Sequence, residues 1–327
     1  MKRTRFGLIG FAAAFMVSLA SCAPSSSSTG AVNSNELRFT IISPQGAPAA
    51  SLARYGKSEK LTLAQAQQVR AAFTSAESDF IIFDSVNGLK LAGDNYRLAR
   101  MVTFGNLYVI STGNDDDGVM DDEDNIFSYG EGLVPDMAFK KVYPEIIPDN
   151  YGAQVSDTSP VLLSGTFEGQ EVDYVVSSYP PIFAAMNNAN KKTDLSVYSN
   201  VAEEFGEKYD TDGFPQAGLF IKKSLEENDT LKADLTSFLN QFDKDIEDLV
   251  NGASEAVKLL GEYGSVEEQA DRFGFNANVL KGVQKTNALA FLAADKNPSL
   301  AGYDVFKSEF GFPITEDLLS SYYPDNA

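Results

Sequence analysis

Asp79-Phe80-Ile81-Ile82-Phe83 runs directly into Asp84-Ser85-Val86-Asn87. A short apolar run without alternation reads as a strand buried on both faces, as in a parallel sheet. The residues after it are good N-caps and open a helix. The same unit recurs on both sides. Toward the N-terminus, Leu37–Ile42 alternates and is rich in β-formers, so it reads as a strand. Ser43-Pro44-Gln45-Gly46-Ala47-Pro48 breaks it, and a helix over Ala49–Tyr55 follows, with Pro48 suited to its first turn. A second helix is expected near Leu63–Phe73.

Toward the C-terminus, Tyr96–Val102 and Asn106–Ile110 read as strands. Ile126–Tyr129 is a strand that turns through Gly130-Glu131-Gly132-Leu133-Val134-Pro135 into a helix over Asp136–Lys141. Asp173–Ser177 is a strand, followed by Tyr179-Pro180-Pro181 and a helix through Met186, and Gln216–Ile221 is a further strand. Repeated strand–loop–helix units predict an α/β fold with mostly parallel sheets. From Asp229 onward the pattern is helical. Leu231, Leu235, Phe238, Leu239, Phe242, Ile246, Leu249 and Val250 form one apolar stripe, which points to core packing.

Composition narrows the function. Twenty-six Lys and Arg against 46 Asp and Glu leave a formal charge of −20, which argues against nucleic acid and against adhesion to anionic lipid. The chain has no histidine and one cysteine. That removes Ser-His-Asp and Cys-His catalysis, His-ligated zinc and any intrachain disulfide. No cofactor is expected, and a binding protein is favoured over an enzyme.

The N-terminus carries an address. Lys2, Arg3 and Arg5 precede an uncharged, mostly apolar run, Phe6–Ala20, which ends in small residues, the order of a secretory signal. The run is short for a bilayer span, which needs about 20 residues. Leu19-Ala20-Ser21-Cys22 resembles the lipobox of bacterial lipoproteins. That resemblance implies a signal peptide over 1–21 and a diacylglyceryl group, with further acylation such as palmitate, on Cys22. The membrane would then be reached by a lipid anchor only. Residues 22–35 are rich in Ser and serve as a flexible tether.

Four stretches in order resemble the substrate-binding proteins of bacterial ABC importers, in the branch of sulfonate/taurine, nitrate and thiamine-pyrimidine-precursor binders. They are Gln45–Ala49, Asp79–Asn87, Tyr129–Pro135 and Phe214–Phe220. The resemblance covers nearly the whole mature chain. It implies a type II periplasmic-binding-protein fold, two α/β lobes joined by two crossing strands with a helical C-terminal region. Asn106–Ile110 and Gln216–Ile221 would be the crossings. One lobe would comprise 36–110 and 216–327, the other 111–215. It also implies a monomeric, extracytoplasmic receptor that captures a small-molecule solute between the lobes and serves ABC permease and ATPase subunits.

Six loops would then face the ligand: Ser43–Pro48, Asp84–Asn87, Thr103–Asn106, Gly130–Pro135, Ser177–Pro181 and Phe214–Gln216. None contains Lys or Arg, so an anion would depend on backbone N–H groups at helix N-termini. The candidate ligand-binding residues are Gln45, Gly46, Asp84, Ser85, Asn87, Asn106, Glu131, Tyr179, Phe214 and Gln216. Aromatics beside carboxylates and amides suit a nitrogen heterocycle such as a pyrimidine precursor, or a cation, better than a sulfonate or nitrate. Asp84 can equally cap its helix, Glu131 can be solvated, and Phe214 and Phe104 can pack the hinge.

The acidic run Asn114–Asn125 invites a calcium reading, with Asp115, Asp117, Asp121 and Asp124 as candidate ligands around Gly118. Its first position is Gly113 and its twelfth is Asp rather than Glu, so a solvated acidic loop is the expectation and no metal is assigned. Two other classes compete with the receptor. A calcium-dependent surface or adhesion lipoprotein is one. An enzyme is the other, but the related pyrimidine-precursor synthases consume an active-site histidine that this chain lacks.

Overall fold

The computed structural model describes residues 36–115, 117–296 and 303–310. The expected signal peptide, the tether with Cys22 and the chain beyond 310 lie outside them. In chain order the strands are β1 (Ile41–Pro44), β2 (Leu61–Ala64), β3 (Phe80–Asp84), β4 (Tyr96–Phe104), β5 (Tyr108–Ser111) and β6 (Ile126–Tyr129). They continue as β7 (Asn150–Gly152), β8 (Thr166–Phe167), β9 (Gln170–Glu171), β10 (Tyr174–Ser177), β11 (Ser196–Asn200) and β12 (Pro215–Lys222). The helices begin with α1 (Ala47–Ala50), α2 (Ala66–Ser75), α3 (Ser85–Ala92), α4 (Val134–Val142), α5 (Thr158–Ser164), α6 (Pro181–Met186) and α7 (Val201–Tyr209). After β12 come α8 (Lys223–Glu226), α9 (Lys232–Val250), α10 (Ser254–Tyr263), α11 (Val266–Phe273), α12 (Ala277–Val283) and α13 (Lys307–Phe310).

Two five-stranded sheets carry the architecture. The first has the order β2-β1-β3-β12-β4 and the second β11-β5-β10-β6-β7. The apolar run Phe80–Phe83 lies in β3, the middle strand of the first sheet. Phe80, Ile81, Ile82 and Phe83 are all buried, with β1 parallel on one side and β12 antiparallel on the other.

The sheets are mixed rather than mostly parallel. β1 runs parallel to β2 and β3, and β6 runs parallel to β7 and β10. β12 is antiparallel to β3 and β4, and β5 is antiparallel to β10 and β11. The reversed strands are those flanking the passages between sheets, where the chain enters against the prevailing direction.

One passage is shorter than expected. Instead of a crossing strand over Asn106–Ile110, residues 105–107 connect the sheets, and β5 pairs wholly inside the second. Gly105 makes the passage possible. Its φ is +86°, and a Cβ there would sit 2.7 Å from the Ala202 Cβ. On the return, the chain leaves α7 and re-enters the first sheet at Pro215, so Gln216–Ile221 lies inside β12 rather than between sheets.

Other departures are local. Leu61–Ala64 pairs with β1 as a strand, and the helix expected from Leu63 starts at Ala66. The first strand begins at Ile41, although Leu37 and Phe39 before it are still buried. The helix expected over Ala49–Tyr55 is a single α-turn followed by a 3₁₀ turn, Ala53–Tyr55.

Three apolar clusters hold the body together. The α9 stripe buries Leu235, Phe238, Leu239, Phe242, Ile246 and Leu249 against one face of the first sheet. There the Phe238 ring lies 4.5 Å from Phe80 and 5.9 Å from Phe39, centroid to centroid. Each such side chain contributes about 1.5–3 kcal/mol by leaving water. A second cluster is continuous across both sheets, joining Phe83 and Val86 to Val109, Tyr129, Phe139 and Phe214. A third lies behind the second sheet around Ile110, Phe127, Val161 and Leu162.

Candidate functional site

The carboxyl ends of β1, β3 and β4 face those of β6, β7 and β10 across a cavity of about 140 Å³. All six predicted loops contribute to its wall. Residues outside those loops contribute too, among them Ala153–Ser156, after the three-residue strand β7, and Gly274, at the end of α11. β7 was missed because three residues carry no readable periodicity. The walls are mostly apolar, with the rings of Phe83, Tyr129 and Tyr179 and the prolines Pro44, Pro48, Pro135 and Pro181 among them. Among the described residues no Lys or Arg lines the cavity, and Asp84 is the one charged side chain on its wall.

Asp84 ends β3 and caps α3. Its Oδ1 accepts the backbone N–H of Asn87 at 2.7 Å and the Asn87 side-chain amide at 3.2 Å. Its Oδ2 accepts the backbone N–H of Val134, the first residue of α4. The same Asn87 amide reaches the Gly132 carbonyl at 3.1 Å. A cap residue of the first sheet therefore also satisfies a helix N-terminus of the second. Asp84 lines the cavity and is partly buried. Burial pushes its pKa up, against the lowering effect of the Val134 and Asn87 N–H groups.

Asn106 and Gln216 form a brace at the passage between sheets. The Asn106 side chain is closed on the backbone of Tyr179, donating to its carbonyl at 2.9 Å and accepting its N–H at 3.0 Å. The Gln216 amide does the same for the backbone of Asn106, accepting its N–H at 2.9 Å and donating to its carbonyl at 3.0 Å. The Ser178 hydroxyl also donates to that carbonyl, at 2.6 Å, and bonds the Tyr129 hydroxyl. Burial raises the Tyr129 pKa.

Gln45 donates to the carbonyls of Asp271 and Arg272, and the Gly46 N–H is taken by the Phe273 carbonyl. Of the ten candidates, then, Gln45, Gly46, Asp84, Asn106, Tyr179 and Gln216 line the cavity. Their polar atoms are spent largely on other groups of the protein. Tyr179 presents mainly its ring, which meets Tyr108 edge-on at 5.1 Å.

The other four lie elsewhere. Glu131 is exposed and off the cavity wall. Phe214 is fully buried against Phe205 at 5.3 Å, a core residue. Ser85 is buried inside the first turn of α3, and Asn87 serves Asp84 and Gly132. Phe83 and Tyr129 were not anticipated as wall residues. Each sits at or next to the carboxyl end of its strand, where ligands gather in open α/β sheets, and that position is the signal that could have found them.

In the acidic loop the carboxylates turn inward on their own backbone. Asp115 accepts the N–H of Asp117 and of Gly118 and the Tyr174 hydroxyl. Asp117 accepts from Val119, Asp121 from Glu123, and Asp124 from Asp121. Among the described residues, no group of three His, Cys, Asp or Glu is placed to hold a metal ion.

Several solved structures are similar to this chain in fold. The ligand-binding component of an ABC-type import system from Staphylococcus aureus, with zinc bound, matches with a TM-score of 0.59 at 12% identity, over 86% of this chain and 95% of that one. The periplasmic aliphatic sulphonate-binding protein SsuA from Escherichia coli matches with a TM-score of 0.55 at 12% identity, over 86% and 95%. A Candida albicans gene product with the generic periplasmic binding protein structural fold matches with a TM-score of 0.50 at 13% identity, over 86% and 93%. This chain has the periplasmic-binding-protein fold. No protein-family model matches its sequence, and neither does any curated protein. At such identities the likeness carries the fold alone, and the cavity of this periplasmic-binding-protein fold must be read from its own walls.

Proposed function

We propose that the chain is the extracytoplasmic solute receptor of an ABC importer, lipid-anchored through Cys22, and that it captures a small nitrogen heterocycle of about one ring. The observation that carries this reading is the cavity between the two sheets, with apolar and aromatic walls and, among the described residues, no cationic side chain. Its volume of about 140 Å³ is close to that of an engineered apolar cavity of about 150 Å³ that takes up benzene. Aromatic side chains at Phe83, Tyr129 and Tyr179 suit a planar solute, and an importer's permease and ATPase would use what the receptor delivers.

An enzymatic role has little to stand on. Paired carboxylates would be needed on the wall, and of the two candidate carboxylates Asp84 is on it while Glu131 is exposed away from it. Native mass spectrometry of the purified, undialysed protein is the direct test. A co-purifying heterocycle, or one from a solute panel that raises the melting temperature, is the expected result. An empty protein that no solute stabilises would overturn the receptor reading.

A further inference from the structure

Two helices of opposite sheets, α3 and α4, point their N-termini at the cavity wall. Converging helix N-termini are an anion site, because their first N–H groups lack intrahelical partners and the dipoles favour negative charge. Here that position is filled from within. The N-cap of α4 is Leu133, which has no acceptor, and Pro135 has no N–H to offer. The Val134 N–H goes instead to Asp84 Oδ2, while Asp84 Oδ1 holds the Asn87 N–H of α3.

A second carboxylate stands behind the first. Asp136, in the first turn of α4 and 2% exposed, accepts the Gly132 N–H at 2.8 Å, the Lys140 ammonium at 2.9 Å and the Tyr151 hydroxyl at 2.8 Å.

We infer that Asp84 is the specificity-determining residue of the cavity: its carboxylate occupies the place where two helix N-termini would grip a ligand's anionic group, so the protein rejects sulfonates and related anions and admits uncharged or weakly basic solutes. This rests on the receptor reading and sharpens its ligand class. An entering sulfonate would find the Val134 and Asn87 N–H groups taken and a carboxylate beside it. Among the described residues no Lys or Arg lines the cavity, and Lys90, the cation that acts on Asp84, stands off its wall. At about 6 Å and an effective dielectric near 20, like-charge repulsion weakens binding by on the order of 100-fold.

The test compares wild type with Asp84→Ser, which keeps a helix cap but frees Val134, using ethanesulfonate and inorganic sulfate as probes in calorimetry and thermal melts. Wild type should give no saturable heat at millimolar probe. Asp84→Ser should bind ethanesulfonate, tighter than wild type by about 100-fold or at least tenfold. If circular dichroism shows Asp84→Ser unfolded, Asp84→Asn, which keeps the volume and a cap acceptor, takes its place in the same comparison. Wild type binding ethanesulfonate as tightly as the folded variant overturns the inference, and so does a folded variant that gains nothing. Uncharged heterocycles titrated into wild type report on the receptor reading separately: their failure sinks that reading, whereas tight ethanesulfonate binding by wild type sinks only this one.

Discussion

Replacing Asn106 with alanine removes a side chain that is 1% exposed and makes two hydrogen bonds to one peptide segment, at 2.9 and 3.0 Å to the Tyr179 carbonyl and N–H. A buried polar group left without its partner costs about 1–3 kcal/mol. Tyr179 is only partly buried, so water can recover some of that loss. The expected destabilisation is therefore about 2–4 kcal/mol. Unfolding entropy of roughly 2.1 cal/mol/K per residue over about 290 residues converts 3 kcal/mol into a fall of about 5 °C in melting temperature. Urea unfolding followed by circular dichroism measures the free energy, and calorimetry measures the shift. The same variant should leave the Gln216 amide on the Asn106 backbone, since those bonds use main-chain atoms. An Asn106→Ala protein within about 0.5 kcal/mol of wild type, the range of an ordinary surface substitution, would refute the brace. If that protein also lost its solute, Asn106 would return to the cavity as a ligand donor.

Three further outcomes are expected. Tyr179→Ala should weaken binding of the co-purifying solute by roughly 10–100-fold in calorimetry, the worth of one aromatic wall, whereas Tyr179→Phe should retain most of it. The Asp84 carboxyl, facing Lys90, Tyr129 and Tyr303, has a folded-state pKa above its ordinary 3.8. The stability it contributes is thus fully present below that ordinary value and is lost as pH rises through the folded-state one. Urea unfolding of wild type and Asp84→Asn across that window should show wild type losing stability relative to the variant as pH rises, and a difference moving the other way would contradict the burial argument. Titration of calcium at millimolar concentration should give no saturable heat, because the carboxylates of Asp115, Asp117, Asp121 and Asp124 already accept backbone N–H groups; a stoichiometric isotherm would restore the metal reading.

What the sequence could say about this fold depended on the range of the interactions involved. Phe80–Phe83 and the α9 stripe announce themselves because burial is encoded in neighbouring residues, at period one or at helical spacing. β7 and β11 were silent. The first is three residues long, and the second shows exposed Val197 and Tyr198 where a core strand would show burial. The end of β2, Leu63-Ala64, was absorbed into the helix expected from Leu63, because so short a stretch fits either period and only pairing with β1 decides between them.

The six cavity loops were legible as loops, since strand ends and helix starts have local signatures, but the roles of their side chains were not. Asn106 and Gln216 are 110 positions apart and close on each other, and Asp84 reaches Val134 across 50. An amide or carboxylate in a cleft loop therefore carries two meanings in sequence, ligand donor or internal tie. Here the ties account for most of the polar atoms near the cavity. That leaves recognition to ring faces and shape, and it makes the one carboxylate on the wall a filter against anions rather than a hand for cations.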